Sequence, residues 1–193
     1  MCDKKELIVV SIHQPNFMPW LPFFDKIEKS DIFVILGHCQ FEKNNFQNRF
    51  KIEDQWQTLR VKKGNKPIIE KEYVNAAEDW EIIKRKSPQY KTILDRMDCC
   101  ISNDLLDTNT KIIKFICDEL NIKTKIVTDY STDFQKSERL YDLCKYYSAT
   151  HYLSGPSGKN YLDENIFKKS DIGIIYQDNS NLVKKPIVEC LTV

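Results

Sequence analysis

Two short β-branched runs with a helical segment between them constrain the fold of this chain more than any other feature. Residues 7–12 form a continuous apolar run typical of a buried strand, and residues 32–36 form a second one. Between them, Phe23, Phe24 and Ile27 share one face of a short helix. A strand, a crossover of roughly 15 residues and a second strand predict a parallel pair with a right-handed connection.

The rest of the chain repeats this alternation of strands and helices. Apolar residues at spacings of three or four indicate helices, and short β-branched runs indicate strands. Alternating elements predict an α/β fold, here a Rossmann-like, mainly parallel sheet flanked by helices. The further helices and strands are predicted at residues 110–120, 124–127, 137–147, 151–154 and 172–176.

One polar region in the first half of the chain has a different pattern. Residues 49–52 and 57–61 alternate in polarity, and residues 63–65 are typical of a turn. We therefore expect a small antiparallel hairpin in addition to the parallel sheet. The sequence contains no internal repeat and no linker, so we expect a single domain over residues 1–193.

Charge and cysteine content argue against several classes of protein. Lys plus Arg is 29 and Asp plus Glu is 28, a formal net charge of +1, whereas proteins that coat nucleic acid or anionic membranes need a basic excess. The seven cysteines include no CxxC pair, which argues for reduced thiols and against a zinc ribbon. The apolar run at residues 7–12 is too short for a signal sequence or a membrane span. We expect a cytoplasmic protein that binds no nucleic acid.

Polar and aromatic residues directly follow the first predicted strand. In open α/β sheets, ligands bind beyond the carboxyl ends of the strands. His13 can act as an acid or a base near neutral pH. Gln14 and Asn16 carry donors and acceptors that can fix a polar ligand, and Trp20 can stack on a sugar or a base. The alternative is that His13 caps the strand and that the aromatic residues belong to an ordinary core.

The segment after the second predicted strand is expected to face His13. The carboxyl ends of two parallel strands lie roughly 5 Å apart when adjacent and roughly 10 Å apart when one strand intervenes. We predict His13 and His38 as catalytic residues and Gln40 as a substrate-binding residue. The alternative is a simple turn at Gly37. Two histidines with Cys39 on short turns are a weak metal signal, so no metal is predicted.

Two further segments carry groups suited to phosphate. Asn48 and Arg49 lie in an amide-rich stretch, where the guanidinium group can hold a phosphate or carboxylate bidentately. The loop after a later strand contains small residues whose backbone N–H groups can bind an anion, although it lacks the full P-loop pattern. A solvated loop and a tight turn are the alternatives. The loop positions predicted to bind substrate are Ser154, Gly155, Gly158, Lys159 and Tyr161.

Five motifs together resemble the WbqC-like family of bacterial proteins. They are IHQPNFMPW at residues 12–20, FFDKIEKSDIFVIL at 23–36, QFEK at 40–43, QNR at 47–49 and SERLYDLCKYYSATHYLSGPSGKNYLD at 137–163. The resemblance implies a role in O-antigen or other surface-polysaccharide biosynthesis, with transfer of glycine or a similar acyl group onto an amino sugar. This chain has Gly37 and His38 where the family commonly has acidic residues. The matching positions are His13, Gln14, Trp20, Gln40, Asn48, Arg49, Gly155 and Gly158.

These observations lead to one expected function and two alternatives. The expected function is transfer of a small acyl or aminoacyl group to a nucleotide-linked amino sugar, with His13 as the general base that activates the sugar amine. The expected partners are a nucleotide-linked sugar or another phosphorylated small molecule, and an activated acyl donor. The alternatives are a nucleotidyltransferase and a non-catalytic sugar-nucleotide-binding partner of a polysaccharide assembly complex.

Overall fold

The computed structural model describes residues 6–133 and 135–191. Its strands form a five-stranded parallel sheet and a two-stranded hairpin. The strands are β1 (Val9–His13), β2 (Ile32–Leu36), β3 (Arg49–Ile52), β4 (Gln55–Thr58), β5 (Lys125–Asp129), β6 (His151–Ser154) and β7 (Gly173–Tyr176). The order across the parallel sheet is β5-β2-β1-β6-β7, while β3 and β4 pair antiparallel with each other.

The direction in which the sheet grows reverses at β1. From β1 the chain steps outward through β2 to β5, and it then returns to place β6 and β7 on the other side. Ser11 of β1 is level with Phe33 of β2 and with Leu153 of β6, both in parallel pairing. Neighbouring loops diverge at such a switch point and leave a crevice beyond the carboxyl ends of the strands. The predicted α/β fold with a mainly parallel sheet is confirmed.

Helices cover both faces of the sheet. They are α1 (Leu21–Glu28), α2 (Ala76–Lys86), α3 (Lys91–Arg96), α4 (Leu105–Glu119), α5 (Lys136–Tyr146), α6 (Glu164–Lys168) and α7 (Ile187–Cys190), with 3₁₀ turns at Ile68–Glu70, Pro88–Tyr90, Asp98–Cys100 and Pro156–Asn160. Alternate strand residues point to opposite faces, so Phe33 and Ile35 join one hydrophobic core and Val34 joins the other. The first core contains residues of α1 and α4, and the second contains residues of α5 and α6.

The predicted hairpin is present, but its second strand differs from the prediction. β3 matches residues 49–52, whereas β4 covers Gln55–Thr58 rather than residues 57–61. The turn between β3 and β4 lies at Glu53 and Asp54, and both have positive φ, 47° and 63°. A two-residue type I′ turn requires this backbone. Sequence reasoning missed it because glutamate is not among the residues that favour positive φ.

The C-terminal segment returns across the first helix. Trp20, just before α1, forms an isolated antiparallel bridge with Pro186, and Ile187 and Val188 of α7 are buried in the first core. Among the described residues, no helix combines the length and the apolar character needed to cross a membrane. The six cysteines in that part of the chain are free thiols, and Cys2 lies outside it.

Candidate active site at the carboxyl edge of the sheet

A cavity of about 1180 Å³ lies beyond the carboxyl ends of four neighbouring strands. It is bordered by Asp129 at the end of β5, Leu36 at the end of β2, His13 at the end of β1, and Ser157 and Tyr161 after β6. Strands lie about 4.8 Å apart, so three intervals give the cavity a length of roughly 15 Å. The cavity includes the switch point between β1 and β6, where this fold class places its ligands.

His13, the last residue of β1, presents a neutral imidazole to this cavity. Its Nδ1 lies 2.9 Å from the carbonyl oxygen of Gln14, and a carbonyl only accepts, so Nδ1 carries the proton and Nε2 carries the lone pair. The ring packs edge-to-face on Phe23 at a centroid distance of 4.9 Å. Burial lowers the pKa of His13 to about 4, and the positive charge of Lys26 contributes. The ring is therefore an unprotonated base at neutral pH.

Lys26 of α1 contacts the end of β1. Its side chain is buried, and Nζ donates a hydrogen bond of 2.8 Å to the carbonyl oxygen of Ile12. Burial lowers the pKa of this amine to about 7. Lys26 and the Nδ1 atom of His13 thus hold the carbonyl groups on both sides of His13, which fixes the ring in place.

The side chain of Gln14 is held by a buried neighbour, Gln47. Nε2 of Gln47 donates to Oε1 of Gln14 at 2.7 Å, and Oε1 of Gln47 accepts from the backbone N–H of Glu42 at 2.8 Å. Asn109 donates to the backbone carbonyl of Gln47 at 2.7 Å and to that of Pro15 at 2.8 Å. Sequence reasoning placed Gln47 in a family motif but gave it no site role, because its partners are far away in the sequence.

The loop after β2 forms part of the cavity wall and contributes His38, Cys39, Gln40 and Glu42. Nε2 of Gln40 donates to Oδ1 of Asn65 at 2.7 Å and to the carbonyl of Lys66 at 2.9 Å, which leaves its Oε1 free to accept. Burial raises the pKa of the Cys39 thiol to about 11, so it stays protonated at neutral pH. This wall offers acceptors at Oε1 of Gln40 and at the carboxylate of Glu42.

The part of the cavity wall after β5, next to the loop after β2, is cationic. It is formed by Ser131, Thr132 and the first turn of α5, with Lys136 and Arg139 on its wall. Arg139 makes a bidentate ion pair with Asp129, in which its Nε lies 2.9 Å from Oδ2. The first-turn N–H groups of a helix carry a partial positive charge. Lys136 adds a full charge. Sequence reasoning missed these residues because no local pattern in the sequence shows that β5 pairs with β2.

Five of the predicted site residues line this cavity, and eight do not. Those on its wall are His13, Gln14, His38, Gln40 and Tyr161. Trp20, 43% exposed, lies beside Pro186 instead. Asn48 is buried and donates to the carbonyl of Leu59 at 2.8 Å. The guanidinium of Arg49 stacks on Trp56 at 4.0 Å. The others outside the wall are Asn16, Ser154, Gly155, Gly158 and Lys159.

The glycine loop after β6 is a tightly packed turn. The N–H of Gly158 donates to the carbonyl of Gly155 at 3.0 Å, so it is already paired. A Cβ atom on Gly158 would lie 1.9 Å from Oγ of Ser154, which shows that glycine is needed for close approach. Lys159 lies over the ring of Tyr176 at 5.3 Å. In this loop Ser157 and Tyr161 reach the cavity wall.

Comparison with known proteins identifies the family of this chain. A family model described as the WbqC-like protein family matches residues 14–185. The chain belongs to the WbqC-like family. The uncharacterized protein Rv1507c of Mycobacterium tuberculosis (strain ATCC 25618 / H37Rv) is 31% identical over 195 residues, which cover 88% of this chain and 81% of the relative.

Among solved structures, a Zn(II)-bound variant of AdcAII from Streptococcus pneumoniae is 10% identical in sequence. The alignment covers 97% of this chain and 96% of the AdcAII chain. Its TM-score of 0.24 is too low to carry an argument about fold or function. Within residues 6–133 and 135–191, no group of three or more His, Cys, Asp or Glu side chains is placed to hold a metal ion.

Proposed function

We propose that this WbqC-like protein transfers a small acyl or aminoacyl group from an activated donor to the amine of a nucleotide-linked amino sugar, in bacterial surface-polysaccharide biosynthesis. The observation that carries the proposal is the arrangement of one cavity. A neutral imidazole with its lone pair on Nε2 lies at the switch point, and the neighbouring walls carry acceptors after β2 and cations after β5.

Two neighbouring parts of the cavity wall match two neighbouring groups of such a substrate, the sugar amine and the diphosphate. Acceptors such as Oε1 of Gln40 and a carboxylate oxygen of Glu42 suit the N–H groups of an amine. Lys136 and the first-turn N–H groups of α5 suit phosphate. The length of roughly 15 Å fits a sugar joined to a nucleoside diphosphate. The volume of 1180 Å³ exceeds the ordinary range of about 300–1000 Å³ for one small ligand, which leaves room for a donor.

The chemical step uses the free Nε2 of His13. The amine nitrogen attacks the acyl carbon of a donor R–CO–X, such as a thioester, and the carbonyl electron pair moves to oxygen. Nε2 takes one proton from the nitrogen. The tetrahedral intermediate then collapses: the pair on oxygen re-forms the C=O bond, the C–X bond breaks, and X leaves with the C–X bonding pair and receives the proton from the imidazolium. The products are the amide and HX.

The test is an assay with UDP-glucosamine as acceptor and acetyl-CoA or a glycyl thioester as donor, read by mass spectrometry. We expect an N-acylated sugar nucleotide, and no product from UDP-glucose, which lacks the amine. His13→Gln keeps the polar character but removes the base, so we expect the rate to fall by about 100-fold or more while UDP-glucosamine still binds. An unchanged rate in His13→Gln would reject the base.

Each of the two alternative functions predicts a different result, which these substrates and a second substrate pair distinguish. Release of pyrophosphate from a nucleoside triphosphate and a sugar phosphate would support a nucleotidyltransferase. Binding of UDP-glucosamine without product from any thioester would support a non-catalytic partner of an assembly complex.

A further inference from the structure

The hydrogen-bond polarity of Gln14 is fixed by the backbone, although Gln14 is an amide that could face either way. The N–H of Glu42 can only donate, so the atom of Gln47 that it contacts at 2.8 Å is the oxygen. The other terminal atom of Gln47 is then its NH₂ group, which donates to Gln14 at 2.7 Å. The atom of Gln14 that accepts is therefore Oε1, and its Nε2 is the group left for the cavity.

Two N–H groups of Gln14 are thus available on the cavity side. Cys39, whose thiol is a weak acceptor, also lines the cavity. Since the amide carries two N–H groups, one remains for a ligand even when the thiol takes the other. His13 and Gln14 are consecutive and both line the cavity. A base and a hydrogen-bond donor therefore border the same space.

We propose that Gln14 is the oxyanion donor of the acyl transfer and that Gln47 is the positioning residue that holds its N–H groups toward the cavity. The inference rests on the proposed function. When the amine attacks the acyl carbon, the carbonyl electron pair moves to oxygen, and a preorganised N–H group stabilises that charge more than it stabilises the ground-state carbonyl. Gln47 is completely buried, so water does not compete for the hydrogen bonds that fix its orientation.

The direct test replaces Gln14. Gln14→Ala removes the donor, and we expect kcat for acylation of UDP-glucosamine to fall by about 100-fold to 1000-fold. The KM for UDP-glucosamine should stay within about threefold, because the interaction exists only in the transition state. Gln14→Glu has nearly the same shape but no N–H group, and we expect the same loss.

The positioning role is tested by Gln47→Glu and its pH profile. A protonated Glu at this position can donate to Oε1 of Gln14 as the amide does, whereas an ionised one cannot and favours the reversed orientation of Gln14. We therefore expect kcat of Gln47→Glu near that of the wild type when the carboxyl is protonated, and a loss of about 100-fold once it ionises at higher pH. Gln57→Glu, a matched change at a buried glutamine on β4, controls for general destabilisation and should not show this pH dependence.

The outcomes separate this inference from the proposed function. If the wild-type protein acylates no amino sugar, both fail. If it does and Gln14→Ala keeps kcat within about threefold, the oxyanion role is rejected while the acyl transfer stands. If Gln47→Glu and Gln57→Glu share one pH profile, the positioning role of Gln47 is rejected.

Discussion

At the scale of single residues, the site depends on uncharged groups held at fixed polarity. His13 is neutral with its lone pair on Nε2, and Gln14 has its N–H groups free because Gln47 occupies its oxygen. Lys26, beside them, is a buried amine that donates to the carbonyl of Ile12. Because burial lowers its pKa to about 7, the charged form of this amine is costly to the folded state.

Lys26→Met tests the energetic cost of this buried amine. The pKa of Lys26 is about 7 in the folded state and 10.5 ordinarily. Between pH 7 and pH 10.5 the unfolded chain therefore binds more protons than the folded one. Lys26 thus destabilises the fold increasingly as pH falls from 10.5 to 7. Methionine removes that penalty but loses a hydrogen bond of about 1 kcal/mol. We expect the variant to be more stable than the wild type at pH 7, by about 2 kcal/mol or more, and to lose this advantage near pH 10.

The measurement is urea unfolding of both proteins at pH 7 and pH 10. A variant that loses more stability at pH 7 than at pH 10 would contradict the cost assigned to burying the charged amine.

At the scale of elements, the site was predictable where it lies next to strands that are evident in the sequence. The β-branched runs of β1 and β2 locate the turns that carry His13 and His38, so their meeting in one cavity follows from the parallel pairing. The cationic wall was not predictable, because the position of Lys136 depends on β5 joining the edge of β2 after 88 intervening residues (37–124). Long-range pairing of this kind leaves no local pattern.

At the glycine loop, the preceding strand was predictable from the sequence, whereas the packing of Gly158 was not. A strand followed by small residues is typical of an anion-binding loop, and the loop does follow β6 at the carboxyl edge. However, the N–H of Gly158 is paired within the turn, and its small size serves packing against Ser154. Steric contacts within a turn depend on exact backbone angles, which composition does not provide.

Alanine substitutions in this loop separate packing from ligand binding. Gly158→Ala places a Cβ 1.9 Å from Oγ of Ser154, so we expect a loss of about 1–3 kcal/mol in the free energy of unfolding. Gly155→Ala is the matched control, because a Cβ there meets nothing within 4 Å, and we expect a change within about 0.5 kcal/mol. Equal losses in the two variants, measured by urea unfolding, would show that the close approach to Ser154 is not what requires glycine.

At the scale of the whole molecule, a nearly neutral chain presents one strongly polarised cavity. The formal net charge is +1, yet the cavity has acceptors around the loop after β2 and cations at the start of α5. The sheet order β5-β2-β1 places the end of β5, which leads to these cations, beside the loop after β2, and His13 lies on the other side of that loop. The central claim is that one amino sugar nucleotide binds across these three strand ends.

The most direct measurement is a crystal structure of the protein with UDP-glucosamine. We expect the sugar amine at hydrogen-bond distance, about 3 Å, from Nε2 of His13, and the diphosphate against Lys136 and the first turn of α5. A ligand bound at Arg49 or on the glycine loop, with His13 in contact only with protein atoms, would contradict the account.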